Sequence, residues 1–363
     1  MEEKLEKIKL VVTGGGSGGH VTPIVALLEE MGDEFEIHWL GSKHGPEKGT
    51  AKSLNIPYEA ITTGKLRRYI SLQNIIDFFK FPLGIIQAYF ILGKIKPQIV
   101  FGKGGYVSLP VVIAAKFRGI KTLVHESDVY PGLANRIAMR FANLMLLTFS
   151  ESKKYLKKNN YQVVGTPIRK SILNGSAEEA RNFFKFQTPN PKIFITGGSQ
   201  GAARLNQVIL EALPELTEKY EIIHLAGKNN YENLREQTKS VTNYNLYSFF
   251  NEEMKLAYAV ADIIISRAGA NSLAEIAAYG KPAIVVPITI AGDHQKYNAE
   301  VFAKAGAAYL IKEEGFTKAE LLRTLSKHFT EENCSKMAHN SQKLVDLDGT
   351  KRIIKLIKKY AQS

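Results

Sequence analysis

The sequence predicts an α/β protein made of two doubly wound parallel-sheet domains in tandem. Three observations lead there. Most candidate strands are continuous apolar runs, which suits parallel strands buried on both faces. Helical patterns lie between them, the alternation of a βαβ array. And one plan occurs twice: "KLVVTGGGSGGHVTPIVALLEEM" from residue 9 and "KIFITGGSQGAARLNQVILEALPEL" from residue 192 each read as buried strand, glycine turn and amphipathic helix. The second copy begins about halfway along the 363 residues. Two Rossmann-like domains account for such a chain most economically.

In order, the strands of the first half are expected at 9–13, 35–40, 98–102, 121–126 and 144–149. Those of the second half are expected at 192–196, 221–226, 245–250, 262–266 and 283–287. The join is placed in "VVGTPIRKSIL" (163–173), where Gly165, Thr166 and Pro167 break the pattern. The first domain therefore ends at 164 and the second begins at 165. Two such domains facing each other form a cleft lined by the carboxyl ends of both sheets, where ligands bind in this architecture.

Composition bounds the function. Hydrophobic residues make up 45% and charged residues 23%, values of an ordinary globular protein. The single cysteine, Cys334, excludes an internal disulfide and a four-thiolate zinc site. The mixed-charge N-terminus is not expected to be a signal peptide, and no apolar stretch is long enough to span a membrane. Net charge is +13, a surplus that attracts polyanions or anionic lipid. It is concentrated usefully: "KLRRYI" (65–70) precedes the apolar, aromatic "IIDFFKF" (75–81), and "TKRIIKLIKKY" (350–360) is a basic amphipathic helix with Ile353, Ile357 and Tyr360 on one face. Basic residues beside aromatics suit an anionic bilayer surface. No nucleic-acid-binding signature or zinc spacing occurs.

The glycine turns carry the chemistry. Gly14, Gly16 and Gly19 satisfy a dinucleotide-type spacing. Yet the next strand ends in Ser42 and Lys43, where an acid should hold the ribose, which counts against NAD. The turn serves either close packing or a backbone cradle for phosphate or sugar at a helix N-terminus. In the second case His20 stands at the cleft mouth as a candidate general base. In "FGKGGYVSLP" (101–110), Gly102, Gly104 and Gly105 bring backbone near a ligand, and Lys103 and Tyr106 add a cation and a hydrogen-bonding ring. "HESDVYPGLAN" (125–135) places Glu126 and Asp128 after a strand, as base, as sugar ligands, or as an N-cap and turn.

The second half holds the most specific stretch, "DIIISRAGANSLAEIAAYGKPAIVVP" (262–287). Amides at Ala270, Asn271 and Ser272 would face an anion at a helix N-terminus. Glu275 would grip a ribose, or close an S-x-x-E capping box with Ser272. Asp293, His294, Gln295 and Asn298 form a cluster suited to sugar hydroxyls. "DLDG" (346–349) follows no strand, and no metal site is expected there.

The motifs "GGGSGGHVTP", "GKGGYVS", "HESD…PGLAN", "VVGTPIR", "GGSQGAARLNQ", "SRAGANSLAEIAAYGKP" and "DHQKYNA", in that order, resemble the MurG family of peptidoglycan glycosyltransferases over nearly the whole chain. The resemblance implies the GT-B type of glycosyltransferase fold. The N-terminal domain would take a lipid acceptor and the C-terminal domain UDP-N-acetylglucosamine. The family's last helix returns to the first domain, so the expected domains are 1–164 with 346–363, and 165–345.

Carried over by motif, Ser17, Gly18 and Gly19 meet the donor sugar or its phosphates. Arg169 and Ser199 contact UDP, the backbone at Asn251 reads uracil, and Ala270, Asn271 and Ser272 hold the diphosphate. Glu275 takes the ribose, Gln295 the sugar hydroxyls, and Asn206 a further donor-site position. Gly104, Gly105 and Tyr106 fall on the acceptor side.

The implied reaction is inverting. The muramyl 4-hydroxyl of undecaprenyl-diphospho-muramoylpentapeptide (lipid I) attacks the anomeric carbon, with His20 favoured as base and Glu126 and Asp128 as rivals or orienting groups. No cofactor or metal is implied. The expected setting is the cytoplasmic face of a bacterial membrane, with an anionic lipid surface and other cell-wall synthesis proteins as partners, and no nucleic acid. Two departures stand out: Asp128 replaces the asparagine of the best-known members, and "SLPV" (108–111) replaces "SGPG". The rival readings are another glycolipid transferase or an epimerase on the same fold, and a non-enzymatic nucleotide-sugar-binding protein at the membrane.

Overall fold

A computed structural model of the chain describes residues 6–64, 72–156, 160–198, 201–288 and 294–363, with backbone only at 72–79. The basic stretch 65–70, Ser199 and Asp293 lie outside the described residues. The chain divides into two compact units, Met1–Arg169 with Asp346–Ser363, and Lys170–Val345.

The first unit holds β1 (Ile8–Thr13), β2 (Phe35–Ser42), β3 (Tyr58–Ile61), β4 (Ile99–Gly102), β5 (Lys121–Glu126), β6 (Leu144–Leu147) and β7 (Tyr161–Val163). They form one parallel sheet in the order β3-β2-β1-β4-β5-β6-β7. The second holds β8 (Lys192–Thr196), β9 (Glu221–Leu225), β10 (Tyr244–Tyr247), β11 (Ile263–Ser266), β12 (Ala283–Val285) and β13 (Tyr309–Leu310). Its sheet is again parallel, in the order β10-β9-β8-β11-β12-β13. In each unit the chain winds one way from its first strand and then the other way. The reversal leaves a crevice at the carboxyl ends of β1 and β4, and of β8 and β11, the place where ligands bind in doubly wound sheets.

All ten strands expected from apolar runs are present. The three unanticipated ones, β3, β7 and β13, all lie at sheet edges. An edge strand is covered on fewer sides, so it needs no continuous apolar run: β3 exposes Glu59 and Ala60, and β7 exposes Gln162.

The last helix, Gly349–Ala361, corrects one expectation. Its apolar face is not available to a bilayer, because Ile353 and Ile357 are fully buried in the core of the first unit with Leu10, Val12, Ile24 and Phe101. Burying each isoleucine is worth about 1.5–3 kcal/mol. Gly349 packs directly on Gly165 and the carbonyl of Val164, where the tail rejoins this unit. The lysines stay outside, and Lys358 pairs with Glu34 at 2.6 Å.

A long helix, Leu72–Ile95, continues through Pro82. Ala88 and Leu92 pack inward against Val111, Ala114 and Ala115 of the helix Gly105–Phe117. On its outer side Leu83, Ile86 and Phe90 are 46%, 54% and 63% exposed, and Phe117 of the neighbouring helix is exposed too.

Candidate active site

At the switch point of the first unit, β1 runs into Gly14, Gly15 and Gly16, and Ser17 caps the helix Gly18–Leu28 in an extended conformation. Gly18, Gly19 and His20 are thus the first three residues of that helix. The turn is shaped by a residue that the sequence reading did not single out. Glu47, fully buried, accepts from the Gly16 amide at 3.0 Å, the Ser42 amide at 2.9 Å and the Ser42 hydroxyl at 2.6 Å. A Cβ on Gly15 would sit 2.2 Å from the Glu47 carboxyl carbon. Trp39 of β2 adds a bond from its indole N–H to the Gly14 carbonyl.

A donor that a dinucleotide phosphate would use is therefore taken by the protein's own carboxylate. Ser42, at the position where the dinucleotide pattern has a ribose acid, is bound to that same group. The only local signal was the acid in the first turn after Pro46. Replacing Glu47 with alanine leaves two buried amides and a hydroxyl unsatisfied. We expect a loss of about 2–4 kcal/mol, read as a lower denaturation midpoint in urea.

The loops after β4 and β5 meet this turn. The Lys103 amide donates to the Thr13 carbonyl at 2.7 Å, extending the β1–β4 pairing by one residue. Gly104 and Gly105 have φ of 91° and 81°, a region that L side chains rarely adopt. A Cβ at Gly105 would also lie 2.9 Å from the His20 ring. The Tyr106 ring lies against Gly16. His20, Gly104, Gly105 and Tyr106 are thus brought together.

Glu126, ending β5, is buried and fully engaged. One carboxylate oxygen accepts from the Asp128 amide at 2.9 Å, the other from the Gly132 amide at 3.0 Å and the Asn135 side-chain amide at 2.9 Å. It shapes the turn that carries Asp128. Burial, and then the charge of Asp128, push its carboxyl above the usual range. Burial lowers His20 to about 4, assisted by the Lys103 cation and opposed by Asp128 and Glu47. His20 is therefore the free base at neutral pH, the form that accepts a proton. Its buried Nδ1 has no hydrogen-bond partner among the described residues.

In the second unit, β11 leads through Arg267 and Ala268 to the helix Ala270–Ala278, whose N-cap is Gly269. Ser272 is the third residue of that helix, not its cap, so the S-x-x-E capping box does not form. Ala270, Asn271 and Ser272 open that helix, so their amides sit at the positive end of its dipole. One turn further, Glu275 accepts from the Tyr258 hydroxyl at 2.9 Å.

The loop is held from behind. Buried Arg267 pairs with Glu313 at 2.5 Å and donates to the Val286 carbonyl, and Asn298 donates to Ala268. Gln295 uses its side-chain carbonyl to accept from the Ile288 amide at 3.1 Å.

The other expected donor residues are placed as follows in the fold. Asn206 is 2% exposed, donates to the Ala226 carbonyl, and pairs with His224, whose other ring nitrogen meets the Tyr244 hydroxyl. Its side chain is spent inside the unit, behind the crevice. The Asn251 amide donates to Glu253 at 3.0 Å. Arg169 is the last residue of the first unit's main segment and is partly buried.

Two Rossmann-type units, the second with a Gly269-capped helix start after β11 and an acid one turn along, define a two-domain glycosyltransferase. Residues 10–147 match the N-terminal domain of glycosyltransferase family 28 and residues 192–356 its C-terminal domain. The chain belongs to that family, and within it to the UDP-N-acetylglucosamine–N-acetylmuramyl-(pentapeptide) pyrophosphoryl-undecaprenol N-acetylglucosamine transferases, the MurG proteins.

A transferase of that name from Clostridium perfringens is 43% identical over 98% of this chain and 99% of its own length. One from Legionella pneumophila is 42% identical over 86% of both chains. The crystal structure of Acinetobacter baumannii MurG superposes with a TM-score of 0.77 at 27% identity, covering 97% of this chain and 99% of that one. A UDP-N-acetylglucosamine 2-epimerase, at 15% identity and a TM-score of 0.63, shares the fold.

Proposed function

We propose that this chain transfers N-acetylglucosamine from UDP-N-acetylglucosamine to the muramyl 4-hydroxyl of lipid I, with inversion at the anomeric carbon. The observation that carries the reading is the end-to-end relationship to the Clostridium transferase, whose name states this donor sugar and this acceptor class. The second unit is read as the donor domain and the first as the acceptor domain. The bond from the anomeric carbon to UDP breaks as the bond to the muramyl oxygen forms. The hydroxyl proton passes to His20, which is unprotonated at neutral pH. Negative charge grows on the diphosphate, where the amides at Ala270, Asn271 and Ser272, with Arg169, stabilise it. Glu275 takes the ribose hydroxyls, and the Gln295 side-chain amide reads the sugar. Glu126 holds the turn that bears Asp128.

The test is UDP release from UDP-N-acetylglucosamine with and without a lipid I analogue. Release that depends on the analogue, together with a β-linked disaccharide product, supports the reading. Epimerised sugar formed without acceptor overturns it.

Among the described residues no helix is long and apolar enough to cross a membrane. We infer peripheral attachment to the cytoplasmic membrane face through the exposed side of the helix Leu72–Ile95 and Phe117. Lys94 and Lys116 on the same two helices, with Arg118 stacked over the Tyr89 ring, supply positive charge beside the apolar residues. A Phe90→Glu variant is expected to bind anionic vesicles about tenfold more weakly in sedimentation, the loss of one buried aromatic side chain, while turning over a soluble acceptor normally.

A further inference from the structure

Lys103 is the unusual residue of the first unit. It is 1% exposed, and its ammonium donates at 2.6 Å to Ser127, a neutral hydroxyl. A buried cation is costly unless its surroundings hold it. A methionine would fill the same space without that cost, so the charge itself needs a reason.

The surroundings supply one. The strip Lys103–Gly104–Gly105 runs between two groups of the site. On one side Gly105 lies against the His20 ring, and a Cβ at Gly14 would touch that of Lys103. On the other side Gly104 packs on the Asn135 amide, which holds Glu126.

We propose that Lys103 is a positioning residue: its ammonium, pinned on Ser127, ties the loop that lies against the His20 ring to the carboxylate turn after β5. The groups acting on His20 are Lys103 from the loop after β4, Asp128 from the turn after β5, and Glu47 from the helix Pro46–Ser53. Those acting on Lys103 are Glu126 and Asp128, and neutral His125 beside them is bonded to the Gly165 carbonyl. Lys103 balances the two carboxylates of the turn. It opposes protonation of His20. Burial lowers Lys103 itself to about 8, and the two carboxylates keep it from falling further.

The functional consequence rests on His20 being the base, so the experiment reads charge and turnover separately. In Lys103→Met, removing the cation eases protonation of His20. Its titration, followed in the ligand-free enzyme by NMR of labelled histidine and assigned with His20→Gln, should move upward by about one pH unit. The acid limb of kcat/KM should move with it. The double variant Lys103→Met/Asp128→Asn removes both charges and should bring the His20 titration back toward its original position.

An unmoved His20 titration in a folded Lys103→Met protein overturns the proposal, as does a double variant whose His20 titration stays where the single variant put it. If the titration moves but His20→Ala retains turnover, the proposal stands and the base assignment falls. Should Lys103→Met fail to fold, Asp128→Asn serves. The lysine ε-carbon resonance of Lys103 should then titrate below about 8, and an unchanged titration refutes the idea.

Discussion

His20→Ala should lower kcat by about 10²- to 10⁴-fold, the range of a positioned general base, while the affinity for UDP stays within a few-fold. The split follows from position. His20 belongs to the first unit, and the residues assigned to UDP lie chiefly in the second. The pH dependence has a definite sign. A base is lost by protonation, and burial with Lys103 lowers His20 to about 4 in the ligand-free fold. The kcat/KM limb reports the free enzyme, so His20 should cause loss of activity only as pH falls toward 4, not near the ordinary histidine value of about 6.5. Steady-state kinetics between pH 4 and 8 check both points. Near-normal turnover in the alanine variant would pass the base role to Asp128.

Glu275→Ala should weaken UDP binding by about 10- to 100-fold, the 1.5–3 kcal/mol of hydrogen bonds to a charged group. Calorimetric titration with UDP measures it. The structure removes the competing structural account, since Gly269 and not Ser272 caps this helix. Loss of a capping box would instead cost roughly 1 kcal/mol of stability with no change in affinity. Unchanged UDP affinity in the variant would reject the ribose assignment. Tyr258, 1% exposed and bonded to Glu275, fixes where the carboxylate points.

The glycine turns of the candidate site were visible as spacing. The turns at Gly14–Gly19, Gly102–Gly105 and Arg267–Ser272 follow apolar strands, and in a doubly wound sheet such turns fall at the carboxyl ends. What spacing could not show is whether a polar side chain is spent or available. Glu126 and Asn206 sit at ligand-like positions, yet hydrogen bonds inside their own units consume them. Glu47 sits in an unremarkable surface-like stretch, yet it is fully buried and holds the first glycine turn.

Local pattern was enough for the two-unit α/β class, ten of the strands and the succession of glycine turns. Continuous apolar runs and φ-permissive residues carry their meaning within a few neighbours. Packing settled the rest: the edge strands β3, β7 and β13, the burial of the final helix in the first unit, the third-residue position of Ser272, and the ammonium enclosed at Lys103. Each depends on which atoms arrive from distant parts of the chain, and burial is a property of that meeting rather than of any residue's own chemistry. The dinucleotide-like spacing at Gly14–Gly19 shows the difference. Its glycines fit the pattern, but a carboxylate from residue 47 occupies the amide that the pattern would have offered to a phosphate.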